Sequence, residues 1–264
     1  MVEPKILVLV LAIDKNPWKR IEIEGQISTW RDSSQKNVRI LRYIGTNPKY
    51  SFWKLLDKLW IVNQKIKGLS RGKISIFSLN LALKRRDLIK AKVNHSSDEI
   101  LTTVPDLYSL IGAKTLDAFD ASLLEFEFDY IFRTNVSSYL DIEGLQKFVS
   151  GQPRNNFYAG AIGNHQGIDF ASGCGYFISR DLVSMVLSNR DLWDHNLIDD
   201  VSLGKLLTKE LKIDIQGIKR IDLNSTEMDL DHIRGNPLNV FHYRCKAPNP
   251  DITIQIMKTL HKLF

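Results

Sequence analysis

The sequence predicts a single α/β domain with a mostly parallel central sheet flanked by helices. Three observations carry this. Residues 5–13 are a continuous aliphatic run, residues 38–44 read as a second strand, and Ile21, Ile23, Ile27 and Trp30 stand at mixed helical spacing between them. Strands buried on both faces read as continuous apolar runs, and strand–helix–strand is how a parallel sheet begins. The third is a sharp change of character, in which Phe128, Tyr130, Ile131 and Phe132 give way at once to Arg133, Thr134, Asn135, Ser137 and Ser138. A buried strand that ends abruptly in polar groups places those groups where open α/β sheets bind ligands, beyond the strands' carboxyl ends.

The remaining elements follow in order. Residues 14–17 read as a polar loop, and residues 20–30 as a helix that Gly25 weakens. Residues 45–48 close the second strand. Phe52, Trp53, Leu55, Leu56, Leu59, Trp60 and Ile61 define a helix flanked by Lys54, Lys58, Lys65 and Lys67. Packing on the sheet is the favoured reading of that helix, with a membrane-surface role as its competitor. A short strand is expected near Ile74, Ile76 and Leu79. Residues 106–119 read as a helix with Leu110, Ala113, Leu116 and Phe119 inward, and residues 142–149 as another. Residues 157–162 should form a strand, followed by a polar loop over 163–169 that contains His165. The small residues from Ala171 to Gly175 predict tight turns and close ligand approach. A strand over 176–178 and a helix capped by Ser179 come next. Asp199 and Asp200 open a helix, where the exposed amides favour carboxylates. Residues 213–221 read as strand and turn and residues 224–235 as a polar loop. A segment over 240–246 precedes Pro248, Pro250 and a final amphipathic helix over 252–263.

Size and composition bound the function. A chain of 264 residues builds a substantial core. Its formal net charge of +6 is compatible with nucleic acid, anionic lipid or phosphorylated metabolites, and does not choose among them. Cys174 and Cys245 are the only cysteines, which excludes a disulfide framework or a zinc cluster built on thiolates. They are compatible with a reducing compartment; a cytoplasmic location is expected, with peripheral contact to a membrane as an open alternative. No stretch reaches the roughly 18 apolar residues of a membrane span. Neither a glycine-rich dinucleotide fingerprint nor a phosphate-binding loop nor an RNA-binding motif is present, so nucleic acid is not an expected partner.

Several motifs, in one order, resemble those of the beta-1,3-glycosyltransferases of the galactosyltransferase and Fringe type. Arg20, Thr29 and Trp30 match the segment between the first two strands, and Asp87-Leu88-Ile89 a later strand edge, with Asp98 and Glu99 in the acidic loop after it. Asp106, Tyr108, Lys114 and Thr115 match the helix before the central strand. Arg133 and Thr134 match the basic-Thr pair that leads into the metal-binding loop. Ser172, Gly173, Gly175, Tyr176 and Ser179 match the glycine-rich stretch, with Cys174 inside it. Asp200 matches the inverting base and Gly204 a close-packing glycine. Asn135, Val136 and Ser137 depart from the pattern, because they stand where that family carries acidic metal ligands.

The resemblance implies a GT-A-type domain, nucleotide-binding over about residues 1–140 and acceptor-binding and catalytic over about 141–264. It implies an inverting transfer from a nucleotide-sugar donor, with UDP the expected nucleotide, to a glycan or glycolipid hydroxyl. Asp200, with Asp199 as the neighbour that could hold the same role, is the expected base. Lys114, Arg133, Thr134, Asn135, Ser137, His242, Arg244 and Lys246 would meet the donor. Ser172, Gly173, Cys174, Gly175, Tyr176 and His165 would meet sugar or acceptor. Without the acidic ligands no tightly bound metal is expected, and any Mn2+ or Mg2+ would be held weakly through donor phosphates. Two competing readings are a catalytically inactive sugar- or protein-binding relative and a basic nucleic-acid-associated protein.

Overall fold

The computed structural model describes residues 3–32, 35–46, 51–70, 73–83, 91–227, 230–235 and 240–264. The expected Asp87-Leu88-Ile89 edge and Asp229 lie outside the described residues, as do the side chains of Asp231 and His232.

The chain opens with β1 (Ile6–Leu11), α1 (Trp18–Ile21), β2 (Val38–Gly45), α2 (Ser51–Leu69), α3 (Leu79–Leu83), β3 (Lys92–Asn94) and β4 (Glu99–Thr102). The centre is built by α4 (Ile111–Glu125), β5 (Tyr130–Asn135), β6 (Ser138–Leu140) and α5 (Ile142–Ser150). Then come β7 (Tyr158–His165), β8 (Ile168–Ser179), α6 (Arg180–Ser188), α7 (Asp199–Gly204), β9 (Gln216–Gly217), β10 (Ile221–Leu223), α8 (Leu230–Gly235), β11 (His242–Cys245) and α9 (Pro250–His261).

Eight strands form the main sheet in the order β3-β4-β2-β1-β5-β8-β7-β9. The stretch from β4 to β5 is parallel, β3 is antiparallel to β4, β8 is antiparallel to both β5 and β7, and β9 runs parallel to β7. A smaller sheet, β10-β11-β6, stands beside it. The result is an α/β domain with a mixed, mostly parallel sheet flanked by helices.

The continuous apolar runs are explained by the pleat, which sends alternate side chains to opposite faces. Ile6, Val8, Val10, Tyr130 and Phe132 enter a core with Trp30, Phe177, Phe241 and α9. Leu7, Leu9 and Ile131 enter another beneath α4, α6 and α7, with Phe119, Leu182 and Leu206.

The expected polar loop over 224–235 ends in helix α8, Glu99 opens strand β4 rather than belonging to a loop, and four further expectations change. The segment 20–30 is a short α1 continued by a wider π-helical turn over Glu22–Ile27, and Gly25 lets Met257 of α9 pack against it: a Cβ there would lie 2.8 Å from Met257 Sδ. Residues 74–78 form no strand, and the side chain of Asn63 instead holds the backbone of Ile76 and Phe77. The expected polar loop over 163–169 is a hairpin, in which β7 and β8 continue to the two-residue turn Gln166-Gly167, both with positive φ (52° and 79°). Such turns match the twist of the flanking strands. Residues 171–175 are likewise strand rather than tight turns, for Gly175 pairs with Thr134 of β5 and Tyr176 with Arg133. Composition alone did not show that β5 and β7 both need a partner there. The glycines serve close side-chain packing across the sheet instead.

Candidate functional site

From β1 the sheet grows one way through β2 and the other way through β5, so the carboxyl ends of β1 and β5 form the point where strand order switches. A cleft of about 370 Å³ lies there. Leu11, Ala12 and Ile13 from the end of β1, with Trp18, give it an apolar lining. Asn135, Val136 and Ser137 from the end of β5 form its floor, and Asp106, Tyr108, Ile111 and Lys114 belong to the α4 side. Arg244 and Lys246, at the end of β11, complete it.

Lys114 does reach the cleft, but its ammonium is tied in place. It donates to Ala12 O at 3.1 Å and to the Asp106 carboxylate, which also accepts from Gly45 N at 2.8 Å. Burial pulls the Lys114 pKa down and Asp106 opposes that. The pair fastens α4 to the ends of β1 and β2 and leaves Lys114 little free charge for a phosphate.

Arg133 lies beneath the site, almost fully buried. Its Nε donates to Tyr43 Oη at 2.9 Å, its Nη2 to Asp199 Oδ2 at 2.6 Å and its Nη1 to the Gly173 carbonyl. Its guanidinium also lies 5.9 Å from the centre of the Tyr176 ring. Burial works against its charge, but Asp199 and the two tyrosines hold it protonated well above the usual range. Arg133 is therefore an internal tie between β5, β8 and α7, not a donor to the cleft.

Asp200 is placed by the same tie. Its Oδ2 accepts from Gly173 N at 2.7 Å and its Oδ1 from Val201 N at 2.9 Å. Burial, then the adjacent Asp199 charge, raises its pKa above the ordinary carboxylate value. Neither Asp199 nor Asp200 caps α7 through its side chain. Neither carboxylate is among the residues that line the cleft; Tyr108 is, and burial and then the charges of Asp199 and Asp200 raise its pKa. Two glycines make the arrangement fit. A Cβ on Gly173 would come within 2.8 Å of Arg133 Nη1 and 3.1 Å of Asp200 Oδ2. A Cβ on Gly204 would lie 2.7 Å from Asp169 O, so α7 rests directly on β8 as the glycine there led one to expect.

Asn135 and Ser137 face the cleft, and they are the residues available to a metal. Both offer neutral oxygens, and Asn135 Oδ1 already accepts from Ser137 N at 3.1 Å and Ser137 Oγ at 2.8 Å. No group of three or more His, Cys, Asp or Glu side chains with metal-site geometry occurs among the described residues.

His242 does not reach the cleft. Its ring is buried with Nε2 at 3.2 Å from Ser138 Oγ and its edge on Phe132, and Gly175 lies flat against it. Burial, then the Arg220 charge, brings its pKa down to about 3, so the ring is neutral at pH 7. Thr134 Oγ1 points away too, donating to Cys174 O at 2.7 Å. Tyr176 is buried beside Arg133. The Cys174 carbonyl also accepts from Ser138 Oγ at 3.2 Å. His165 sits exposed where β7 meets the hairpin turn, outside the cleft lining.

Sequence reasoning missed Arg220, Asp222 and Tyr43. Asp222 pairs in register with Arg244 across β10 and β11 and accepts from it at 3.3 Å. Arg220 bonds Asp222 through Nε at 2.5 Å and Nη2 at 3.1 Å, and Nη1 reaches Ser172 Oγ at 3.0 Å. Burial pushes the Asp222 carboxyl up, and the two guanidiniums outweigh it and hold it below its ordinary range. The signal was the Arg-x-Asp spacing, which puts both side chains on one face of a strand. Two cations share one carboxylate beside the cleft, and the buried Arg244 Nε has no hydrogen-bond partner among the described residues.

No protein-family model matches the chain, nor does any curated protein. Solved glycosyltransferases are similar to it in fold. One is a glycosyltransferase involved in glycosylation of the major capsid of PBCV-1, at 9% identity and TM-score 0.42, covering 97% of this chain and 100% of that one. Another is the glycosyltransferase GlyE of Streptococcus pneumoniae, at 10% identity and TM-score 0.43; 92% of this chain matches and spans 55% of that chain. Mouse xyloside xylosyltransferase 1 shares 9% identity at TM-score 0.43, covering 94% and 100%. At these values the likenesses fix neither family nor chemistry. The specific beta-1,3 resemblance thus rests on the motifs alone.

Proposed function

We propose that this protein is an inverting, GT-A-type glycosyltransferase that takes a sugar from a nucleoside diphosphate donor, UDP by the motif resemblance, and gives it to a glycan or glycolipid hydroxyl. The observation that carries this is the cleft at the β1/β5 switch point, with an apolar lining at Trp18 and Ile13 and the cationic side chains of Arg244 and Lys246 at its other side. A nucleobase suits the first and a diphosphate the second. Asp200, with a raised pKa, removes the acceptor proton as the acceptor oxygen bonds to the anomeric carbon. The bond from that carbon to the diphosphate breaks, and the nucleoside diphosphate leaves with the electron pair. Arg244 and Lys246 stabilise the charge that develops on it.

The donor set at Asn135 and Ser137 does not fit a tightly held divalent cation. Magnesium and manganese favour hard, usually carboxylate, oxygens, and both side chains are neutral. The proposed reaction is accordingly metal-independent.

A second reading, a sugar-nucleotide-binding module without turnover, draws on the fact that both Asp200 oxygens already accept backbone N–H groups. Calorimetric titration with a panel of UDP- and GDP-sugars, followed by measurement of nucleoside diphosphate release, separates the readings. The transferase reading expects binding and release for at least one donor. Binding with no release under any acceptor condition supports the module, and no binding of any nucleotide-sugar overturns both.

A further inference from the structure

Helix α2 carries two apolar stripes, and the fold uses only one. Leu56 and Trp60 face inward, where they pack with Leu79, Val104 and Leu110. Phe52, Leu55, Leu59, Val62, Ile66 and Leu69 form a second stripe at alternating three- and four-residue spacing. That spacing aligns them along one side of the helix. Phe52, Leu55 and Val62 are 58%, 55% and 47% exposed, and Leu69 is 89% exposed. The stripe is extended sideways by Ile74 and Ile76, also exposed, because Asn63 on the same edge of the helix holds that segment's backbone. Contiguous exposed aliphatic side chains on this scale mark an interaction surface.

The charges indicate what covers it. Lys58 and Lys65 run along one border of the stripe, with Lys54 on the same side, and all three are exposed. The helix has a single acidic residue, Asp57, and it is turned away to accept from Ser109 N at 3.2 Å and Ser109 Oγ at 2.7 Å. A second copy of this helix would bring lysines against lysines with no carboxylate opposite. An anionic lipid surface matches both the apolar stripe and its cationic border.

The surface is also joined to the site. Gln64 Nε2 of α2 donates to Asn196 O at 2.6 Å, and Asn196 Oδ1 accepts from Leu79 N at 2.7 Å, three residues before Asp199 in the chain. Trp60 packs edge-on against Tyr108 of the cleft wall at 5.8 Å. We propose that α2 and the Ile74–Ile76 segment dock on an anionic bilayer. Resting on the transferase reading, this also assigns the acceptor to the lipid-linked class, presented at the bilayer surface beside Asp200.

Flotation of the purified full chain with phosphatidylcholine vesicles, with and without about 30% phosphatidylserine, tests the docking without any assay of turnover. Binding to the anionic vesicles, weak binding to the neutral ones, and loss on raising salt are expected. Leu55→Ser/Val62→Ser and, separately, Lys58→Glu/Lys65→Glu should each weaken binding about 10-fold or more while leaving the far-ultraviolet spectrum and melting unchanged. Equal retention of wild type and both variants, or no binding to anionic vesicles, overturns the proposal. So does a concentration-dependent dimer that Leu55→Ser/Val62→Ser dissociates. If docking holds and nucleotide-sugars fail to bind, the transferase reading falls alone. If donor release occurs without docking, the bilayer proposal falls alone.

Discussion

Arg133 donates to Asp199 at 2.6 Å, and this ion pair separates the roles of two adjacent carboxylates. Asp199 is committed to a buried guanidinium, whereas Asp200 accepts only backbone N–H groups and has a raised pKa. The two substitutions should therefore fail differently. Asp200→Asn keeps shape and removes basicity, so turnover should drop by about 100-fold or more with donor affinity little changed. Asp199→Asn leaves Arg133 buried without its counter-charge and should cost about 3–5 kcal/mol of stability. Turnover, donor titration and denaturant unfolding of both variants check this; equal turnover in wild type and Asp200→Asn refutes the assignment.

Gly175 is a folding position before it is a ligand position. A Cβ there would lie 2.9 Å from Phe132 Cζ and closer still to the His242 ring. Gly175→Val should destabilise by about 3 kcal/mol through overpacking, and Gly175→Ala by less. Chemical denaturation measures it. An unchanged midpoint would mean that the ring has free room to move.

Stability should fall as pH drops, through His242. Its folded pKa of about 3 lies below the ordinary value of 6.5, so the unfolded chain binds the proton first. The neutral buried ring thus contributes stability fully above about pH 6.5, and that contribution is lost as pH falls toward 3. The loss is on the order of 5 kcal/mol across that window. Unfolding curves at pH 7, 5.5 and 4.5 should show it, and His242→Asn should flatten the slope. An identical slope in the variant would assign the effect elsewhere.

Arg244 should matter to donor binding and turnover together, because the same group meets the ground-state phosphate and the leaving group. Arg244→Ala is expected to weaken donor affinity about 10-fold and to lower turnover further. Activity should persist after chelation of divalent ions. Strict loss with a chelator and full rescue by one metal would refute metal-independence, whatever Arg244→Ala does.

The sequence by itself determined the layers of this protein. The aliphatic run ending at Ile13 and the aromatic run ending at Phe132 read as strands buried on two faces, and Val38–Ile44, interrupted by Arg39 and Arg42, as a further strand. The polar break after Phe132 located the cleft, and Gly204 announced the close approach of α7 to β8. Tertiary structure decided which polar groups face that cleft. Arg133, Thr134 and His242 read as ligands in one dimension, and the fold turns all three inward because β8 supplies carbonyls to the first two and β6 a hydroxyl to the third. Arg220 and Asp222 came to the cleft's edge through the pairing of β10 with β11, a contact between segments whose order along the chain carries no pairing signal. Periodicity records whether a side chain is buried; only the packed chain settles what it is buried against, because that depends on strand order and register, which are set by contacts distant in sequence.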